Sequence, residues 1–151
     1  MFALKTILDT YRSHSKSERE KGTYFEKLIK SYLETEPFYK DQYEKVWMYC
    51  DWAKEPDAIS HNMNPKDTGI DLIAKTHDEK YHAIQCKLYA EDYSIQKSDI
   101  DSFFTASGKK IFSHRIIVCS TSVSWSKNAT EALDDQQIPV SVINLQALEQ
   151  S

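Results

Sequence analysis

Residues 67–89, DTGIDLIAKTHDEKYHAIQCKLY, carry the clearest structural pattern in the chain. Two runs rich in β-forming residues, 69–75 and 80–89, flank the polar segment THDE, and this arrangement predicts a β-hairpin. If the turn centres on Asp78, Asp71 lies directly opposite Gln85, with Cβ atoms about 5 Å apart on one face of the hairpin. A slip of one residue would break this pairing, and the sequence alone leaves that alternative open.

Alternation along the second strand predicts which side chains share a face. Gln85 and Lys87 fall on the same face as Asp71, whereas Ile84 and Cys86 fall on the more apolar face, which is expected to meet core helices. A carboxylate, an amide and an ammonium gathered in this way suit phosphodiester hydrolysis. The carboxylate is a hard ligand for Mg²⁺, the amide oxygen can add a ligand without charge, and the lysine can orient water or stabilise developing negative charge.

The flanking sequence predicts a mixed α/β architecture. Apolar residues recur with helical spacing from about Ser17 to Pro37, with Glu26 at the border of the apolar stripe. A strand follows over 43–50, and the proline-containing segment 51–66 is expected to be a loop. After the hairpin come a helix capped by Ser98 and stopped by Gly108, a strand, a helix, a strand and a short terminal helix. This order predicts a central mixed β-sheet flanked by helices, whose last two strands are parallel.

Composition limits the classes of function. The chain has 151 residues and a net charge of −4, which excludes a strongly basic nucleic-acid-binding coat but not a local basic site. No stretch reaches the roughly 20 apolar residues of a membrane span, and the first residues lack the apolar core of a signal peptide. The three cysteines are an odd number without a closely spaced pair, so reduced thiols and a cytoplasmic location are expected rather than disulfides or a zinc site.

The motif residues resemble the PD-(D/E)xK nuclease superfamily and, within it, the Mrr-like group found in restriction enzymes. That pattern is a helical Glu, an Asp after a Gly-containing turn, and Gln-x-Lys about a dozen residues later. Here it reads as Glu26 in TYFEKLI, Asp71 in DTGID, and Gln85 and Lys87 in QCK. Gln in place of the more usual Glu is common in the Mrr-like branch. The resemblance covers roughly residues 20–148.

The resemblance implies a restriction endonuclease-like fold and a Mg²⁺-dependent endonuclease acting on double-stranded DNA in the restriction of foreign DNA. The implied catalytic residues are Asp71, Gln85, Lys87 and Glu26. Mg²⁺, for which Mn²⁺ is expected to substitute, would be held by Asp71, Gln85 and the carbonyl of Cys86.

The sequence also predicts an organisation into domains. Residues 1–17 lie outside the resemblance, and their weak amphipathic pattern predicts a helical extension. The resemblance implies that residues 18–151 form a nuclease domain that is a fragment of a larger polypeptide. That polypeptide would resemble the type ISP enzymes, with helicase or translocase and methyltransferase domains in the same chain. A transient dimer on DNA is one arrangement that the resemblance allows.

Two other functions stay open at this stage. A catalytically silent nuclease fold could bind DNA or dock another protein, and a Holliday-junction resolvase would share the fold but need a symmetric dimer and a more basic surface. At the residue level, Glu26 could be a plain helix-surface carboxylate and Lys87 a solvated sheet residue. Binding DNA despite the negative net charge needs local cations; the candidates are Lys30, Lys87, Lys97, Lys109, Lys110 and the helix N-terminus at Ser98.

Overall fold

The computed structural model describes residues 18–66, 69–134 and 136–150, so the expected helix within residues 1–17 lies outside the described residues. The described helices and strands, in chain order, are α1 (Glu18–Thr35), α2 (Pro37–Gln42), β1 (Tyr43–Met48), α3 (Tyr49–Trp52), α4 (Pro56–Ser60), β2 (Leu72–Thr76), β3 (Tyr81–Lys87), α5 (Lys97–Ser107), β4 (Phe112–Cys119), α6 (Lys127–Leu133), β5 (Val140–Ile143) and α7 (Leu145–Glu149).

The five strands form one mixed sheet in the order β1-β2-β3-β4-β5. The first three strands are antiparallel, whereas β3 with β4 and β4 with β5 are parallel, because helices α5 and α6 provide the crossovers. The predicted mixed sheet and the parallel final pair are therefore confirmed.

Helices cover both faces of the sheet. Phe25 and Ile29 of α1 pack with Leu72 and Ile84 on one face, joined by Leu148 of α7. On the other face, a second core forms around Trp52, Phe103, Tyr81 and Ala83, together with side chains of α4, α5 and α6. The face carrying Ile84 does meet a core helix, as predicted, but the opposite face is buried as well over most of its length.

The hairpin register is confirmed within the strands, where Leu72 pairs with Ile84 and Lys75 with Tyr81. Asp71 departs from that ladder. Its N–H donates to the carbonyl of Ile84 at 2.9 Å, so Asp71 lies just before β2 and is not a regular ladder partner of Gln85. The prediction of a directly opposite pair is wrong at this one position.

One prediction about local structure is confirmed but incomplete, and two are wrong. Pro37 ends α1 but then begins α2, since proline is well tolerated in the first turn of a helix. The segment 51–66 is not only loop, because it contains the end of α3 and the single turn of α4 that begins at Pro56. Helix α5 is capped by Gln96 and not by Ser98, although Gly108 does follow its last residue as predicted.

Two features bear on location and redox state. Among the described residues, no helix combines the length and apolar character needed to cross a bilayer. Cys50, Cys86 and Cys119 are all free thiols, as the odd cysteine count predicted.

Candidate active site

Gly69 determines how the chain enters β2. It has a φ of +99°, and a Cβ at this position would lie 2.9 Å from the backbone carbonyl carbon and oxygen of Ser102 in α5. Any side chain would therefore be strained in backbone conformation and would collide with a rigid helix. Glycine lets the turn rest directly on α5, and this contact sets the position of Asp71 two residues later.

Asp71 is held by hydrogen bonds on both sides of the strand entrance. Its carbonyl accepts from the N–H of Tyr49 at 2.9 Å, just beyond the end of β1. Its carboxylate oxygen Oδ2 accepts from the N–H of Cys86 in β3 at 2.7 Å. The carboxylate is thus fixed next to the last residues of β3, at the end of these strands that lies away from the hairpin turn.

Gln85 is a buried polar residue, only 3% exposed. Its Nε2 donates to the carbonyl of Gly69 at 3.2 Å, which links β3 to the turn that carries Asp71. Within the described part of the chain, its Oε1 is buried and has no hydrogen-bond partner. A buried acceptor without a donor costs about 1–3 kcal/mol, so this oxygen is suited to receive a cation or a water molecule.

Glu26 and Asp71 line one pocket of about 370 Å³ between α1, the end of β1 and the start of β2; Thr23, Met48, Tyr49, Cys50 and Ile70 complete its lining. Glu26 is half-buried beside the buried Phe25, in keeping with its predicted place at the border of the apolar stripe. The helix of the sequence motif therefore does bring its carboxylate to the same pocket as Asp71.

The negative charges of this pocket affect the pKa of the Cys86 thiol. Burial raises that pKa well above its ordinary value, and the carboxylates of Asp71 and Glu26 raise it further. The thiol consequently stays protonated, and a protonated thiol is a poor metal ligand. Of the atoms of Cys86, the main-chain carbonyl oxygen is the better ligand for a hard cation.

Lys87 is the last residue of β3 and is half-buried. Its carbonyl accepts from the N–H of Ser120 at 3.1 Å, which ties the end of β3 to the end of β4. Its charge also acts on Asp99 in the first turn of α5. Partial burial alone would raise the pKa of Asp99, but hydrogen bonds from Gln96, Tyr93 and Tyr89, together with the positive charge of Lys87, hold that pKa below its usual value.

Asp99, whose carboxylate caps the N-terminus of α5, was not predicted from the sequence to do so. The available signal was the spacing Gln96-x-x-Asp99. Asp99 Oδ2 accepts from the N–H of Gln96 at 2.8 Å, and the N–H of Asp99 donates to the main-chain carbonyl of Gln96 at 2.9 Å. Ser98 with Asp101 offered the same spacing with a better-known cap residue. Because the Asp99 carboxylate occupies this helix N-terminus, it is less suited to phosphate than the sequence suggested.

Two of the cations proposed to compensate the net charge are already paired within their own helices. Lys30 lies 2.9 Å from Glu34, and Lys97 lies 2.8 Å from Asp101. Lys109 and Lys110 are exposed just after α5. The predicted basic contribution of Lys30 and Lys97 is therefore weaker than their positive charges imply.

The start of β2 and the end of β3 carry oxygen atoms of the kind that hard divalent cations prefer. The carboxylates of Asp71 and Glu26 line one pocket, whereas Gln85, with its buried amide oxygen, and Cys86 are not among the residues that line it. Across residues 18–66, 69–134 and 136–150, no group of three or more His, Cys, Asp or Glu side chains is placed to hold a metal. An ion would therefore need amide and main-chain oxygens, water or substrate phosphate beside the carboxylates.

Two solved structures of restriction enzymes are similar to this chain. The chain resembles the ATP-dependent type ISP restriction-modification enzyme LlaBIII bound to DNA, with a TM-score of 0.68 and 30% identity; the match covers 93% of this chain and 8% of that one. It also shares the fold of the MspJI restriction endonuclease in complex with a 27-mer oligonucleotide, with a TM-score of 0.59 and 18% identity, over 97% of this chain and 29% of that one.

Sequence comparison gives the family. No curated protein matches the chain. A family model described as a restriction endonuclease, of the Mrr catalytic type, matches residues 34–151. This match spans well over half of the chain and includes Asp71, Gln85 and Lys87, and it agrees with the mixed sheet and its flanking helices. The chain belongs to the restriction endonuclease family.

Proposed function

We propose that this protein is a Mg²⁺-dependent DNA endonuclease domain that hydrolyses phosphodiester bonds in the restriction of foreign DNA. The observation that supports this most strongly is the buried Oε1 of Gln85, which has no hydrogen-bond partner among the described residues and belongs to a side chain bonded to the turn that carries Asp71. A polar atom that is costly to bury without a partner is expected where the native function supplies one.

Asp71, Gln85 and the carbonyl of Cys86 would hold the ion, with Mn²⁺ able to substitute. When bound, Mg²⁺ supplies positive charge that neutralises the scissile phosphate and increases the acidity of nearby water. The Lys87 ammonium, two residues beyond Gln85 on β3, would orient the attacking water and stabilise the charge that develops on the phosphate. Glu26 would hold water on the opposite side of the shared pocket.

Double-stranded DNA is the proposed substrate, in keeping with the DNA bound to LlaBIII and the 27-mer oligonucleotide bound to MspJI. Because this chain corresponds to only 8% of the LlaBIII chain, we propose that helicase or translocase and methyltransferase domains accompany it in one polypeptide. Two copies would meet transiently on DNA when both strands are cut.

The test is cleavage of supercoiled plasmid in Mg²⁺ by the wild type and by Asp71→Asn. Asn keeps an acceptor oxygen for the N–H of Cys86 but loses the charge that attracts the ion, so cleavage is expected to disappear while the melting temperature is retained. Asp78→Asn is the matched control, because Asp78 is exposed on the hairpin turn at the other end of the sheet. Cleavage by Asp71→Asn at the wild-type rate would show that the site lies elsewhere.

A further inference from the structure

A cavity of about 660 Å³ lies at the hairpin-turn end of the sheet, away from the proposed nuclease site. His82, near the start of β3, and His114, near the start of β4, both line it. The two residues are partners in the parallel register of β3 and β4, so their side chains leave the same face of the sheet side by side. Their ring centroids lie 5.2 Å apart. The fold thus brings two imidazoles together on a cavity that the nuclease proposal does not use.

Each of these imidazoles has one nitrogen held by a hydroxyl group. His82 Nδ1 shares a 2.7 Å hydrogen bond with the Tyr43 hydroxyl, and His114 Nε2 shares a 2.8 Å hydrogen bond with Ser141 Oγ. In the described part of the chain, the other nitrogen of each ring, His82 Nε2 and His114 Nδ1, has no hydrogen-bond partner. His82 is only 7% exposed and lines the cavity, so a partner for its second nitrogen has to come from there.

The strand order indicates where these two nitrogens point. Strand β1, which carries Tyr43, lies on one side of the β3–β4 pair, and β5, which carries Ser141, lies on the other side. The nitrogens bonded to the two hydroxyl groups are therefore directed outward from the pair. Because the two nitrogens of an imidazole point in nearly opposite directions, His82 Nε2 and His114 Nδ1 are directed toward the space between the rings.

The separation of the rings fits one metal ion between these nitrogens. A metal about 2.0–2.1 Å from each nitrogen lies about 3.2 Å from each ring centre, and a tetrahedral angle at the metal then puts the ring centres about 5 Å apart. The observed separation is 5.2 Å. Imidazole suits Zn²⁺, Cu²⁺ and Ni²⁺, whereas Mg²⁺ prefers oxygen ligands. The chemistry of this pair therefore differs from that of the oxygen-rich nuclease site.

The charged side chains around the cavity favour a cation over an anion. Two carboxylates, Asp41 and Asp78, and one ammonium, Lys80, line the cavity, so their summed charge is negative. Within residues 18–66, 69–134 and 136–150, no third His, Cys, Asp or Glu side chain is placed to join the histidines on one ion. Water or a group of a bound molecule would fill the remaining coordination positions.

We propose that His82 Nε2 and His114 Nδ1 bind one Zn²⁺ ion, or a similar divalent transition metal, at a site separate from the nuclease centre. In the bound state the Nδ1–H of His82 donates to the Tyr43 hydroxyl, and the Nε2–H of His114 donates to Ser141 Oγ. Such outer hydrogen bonds fix the tautomer and the orientation of metal-bound histidines. The ion links β3 to β4 and stabilises the folded state, because it binds that state and not the separated strands.

Calorimetric titration of the metal-free protein with Zn²⁺ in excess Mg²⁺ tests this site. Every sample carries Cys50→Ser, because Cys50 is an exposed thiol that could bind zinc. We expect one saturable site in this parent, loss of the site in His114→Phe, and an affinity about 10- to 100-fold lower in Tyr43→Phe, which removes only an outer hydrogen bond. His77→Phe is the matched control, because His77 is exposed on the same cavity but outside the pair, and it should bind Zn²⁺ as the parent does. Equal binding by His114→Phe and the parent would overturn the proposal.

Imidazole ¹⁵N spectra of the parent give a readout that needs no further substitution. We expect saturating Zn²⁺ to shift His82 Nε2 and His114 Nδ1 most, while the other nitrogen of each ring keeps its proton. Signals of both residues that do not respond to Zn²⁺ would contradict the proposal, even if His114→Phe failed to fold. Neither measurement depends on DNA cleavage, so this site and the proposed nuclease function are tested separately.

Discussion

Among the single residues of the candidate metal site, Gln85 has the largest influence on the charge that a bound ion would meet. A glutamate there would present a carboxylate next to Asp71, whereas the amide contributes an oxygen without charge. Its Oε1 is buried and has no hydrogen-bond partner in the part of the chain that the structure describes, so under the proposed function it is the atom that would reach a cation. The amide is therefore expected to make the site bind divalent ions more weakly than a second carboxylate would.

Gln85→Glu tests that reasoning. We expect the Mg²⁺ concentration for half-maximal cleavage to fall, because the added charge attracts the ion. Without metal, the variant should melt at a lower temperature than the wild type, since a buried carboxylate then lacks a compensating charge. Gln42→Glu, at an exposed position at the end of α2, is the control and should change neither quantity. An unaltered Mg²⁺ titration in Gln85→Glu would mean that position 85 does not face the ion.

His82 gives the protein a pH-dependent stability. Burial, and next the neighbouring His114, lowers the pKa of His82 to about 4, while the ring accepts or donates a 2.7 Å hydrogen bond with the Tyr43 hydroxyl. The unfolded chain binds this proton near pH 6.5, so between about pH 6.5 and 4 the unfolded state holds more protons and folding stability falls as the pH falls. Complete loss of this contribution amounts to roughly 3 kcal/mol.

Urea unfolding from pH 7.5 to 4.5 measures this loss. The free energy of unfolding of the wild type should decline through that range, and His82→Phe, which cannot take up the proton, should show a shallower decline. His61→Phe is the control, because His61 is exposed, and it should follow the wild-type slope. Equal slopes for the wild type and His82→Phe would exclude His82 as the source of the acid sensitivity.

Among the connections between secondary-structure elements, the turn at Gly69 matters most for the site, because it leads through Asp71 into β2. Gly69→Ala forces a side chain into a φ of +99° and against the backbone of α5. We expect it to lower the free energy of unfolding by about 1–3 kcal/mol and to reduce cleavage, since the Gly69 carbonyl also binds Gln85. Gly22→Ala is the control, because nothing lies within 4 Å of the position that the new Cβ would take. Within a helix, alanine in place of glycine should raise the free energy of unfolding by about 0.5–1 kcal/mol. If both variants unfolded alike, the turn would not constrain the site.

The hairpin, the long first helix and the parallel pairing of the last two strands could be predicted from sequence because their periodic patterns run over many residues. Helices α2, α3 and α4 could not, since four to six residues are too few to show a helical period. The departure of Asp71 from the ladder depends on hydrogen bonds with Tyr49 and Cys86, which lie in other elements. Such contacts between distant segments leave no local signal.

The distribution of charge constrains how the whole molecule meets DNA. The net charge is −4, and Lys30 and Lys97 are each paired with a carboxylate of their own helix, which weakens two of the candidate contacts to phosphate. Weak binding with a marked salt dependence is therefore expected, and base-specific reading is expected to come from other domains. This agrees with a chain that matches 8% of one restriction enzyme and 29% of another.

We propose that this domain cuts DNA with side chains at the start of β2 and the end of β3. The most direct test of this proposal is plasmid cleavage at low salt in Mg²⁺ or Mn²⁺ by the wild type, Lys87→Ala and the control Lys80→Ala, whose lysine is exposed on the hairpin turn. We predict cleavage with little sequence preference, unaffected by Lys80→Ala and slowed about 10²- to 10³-fold by Lys87→Ala, the typical effect of losing one electrostatic stabiliser. Equal cleavage by the wild type and Lys87→Ala would contradict the mechanism.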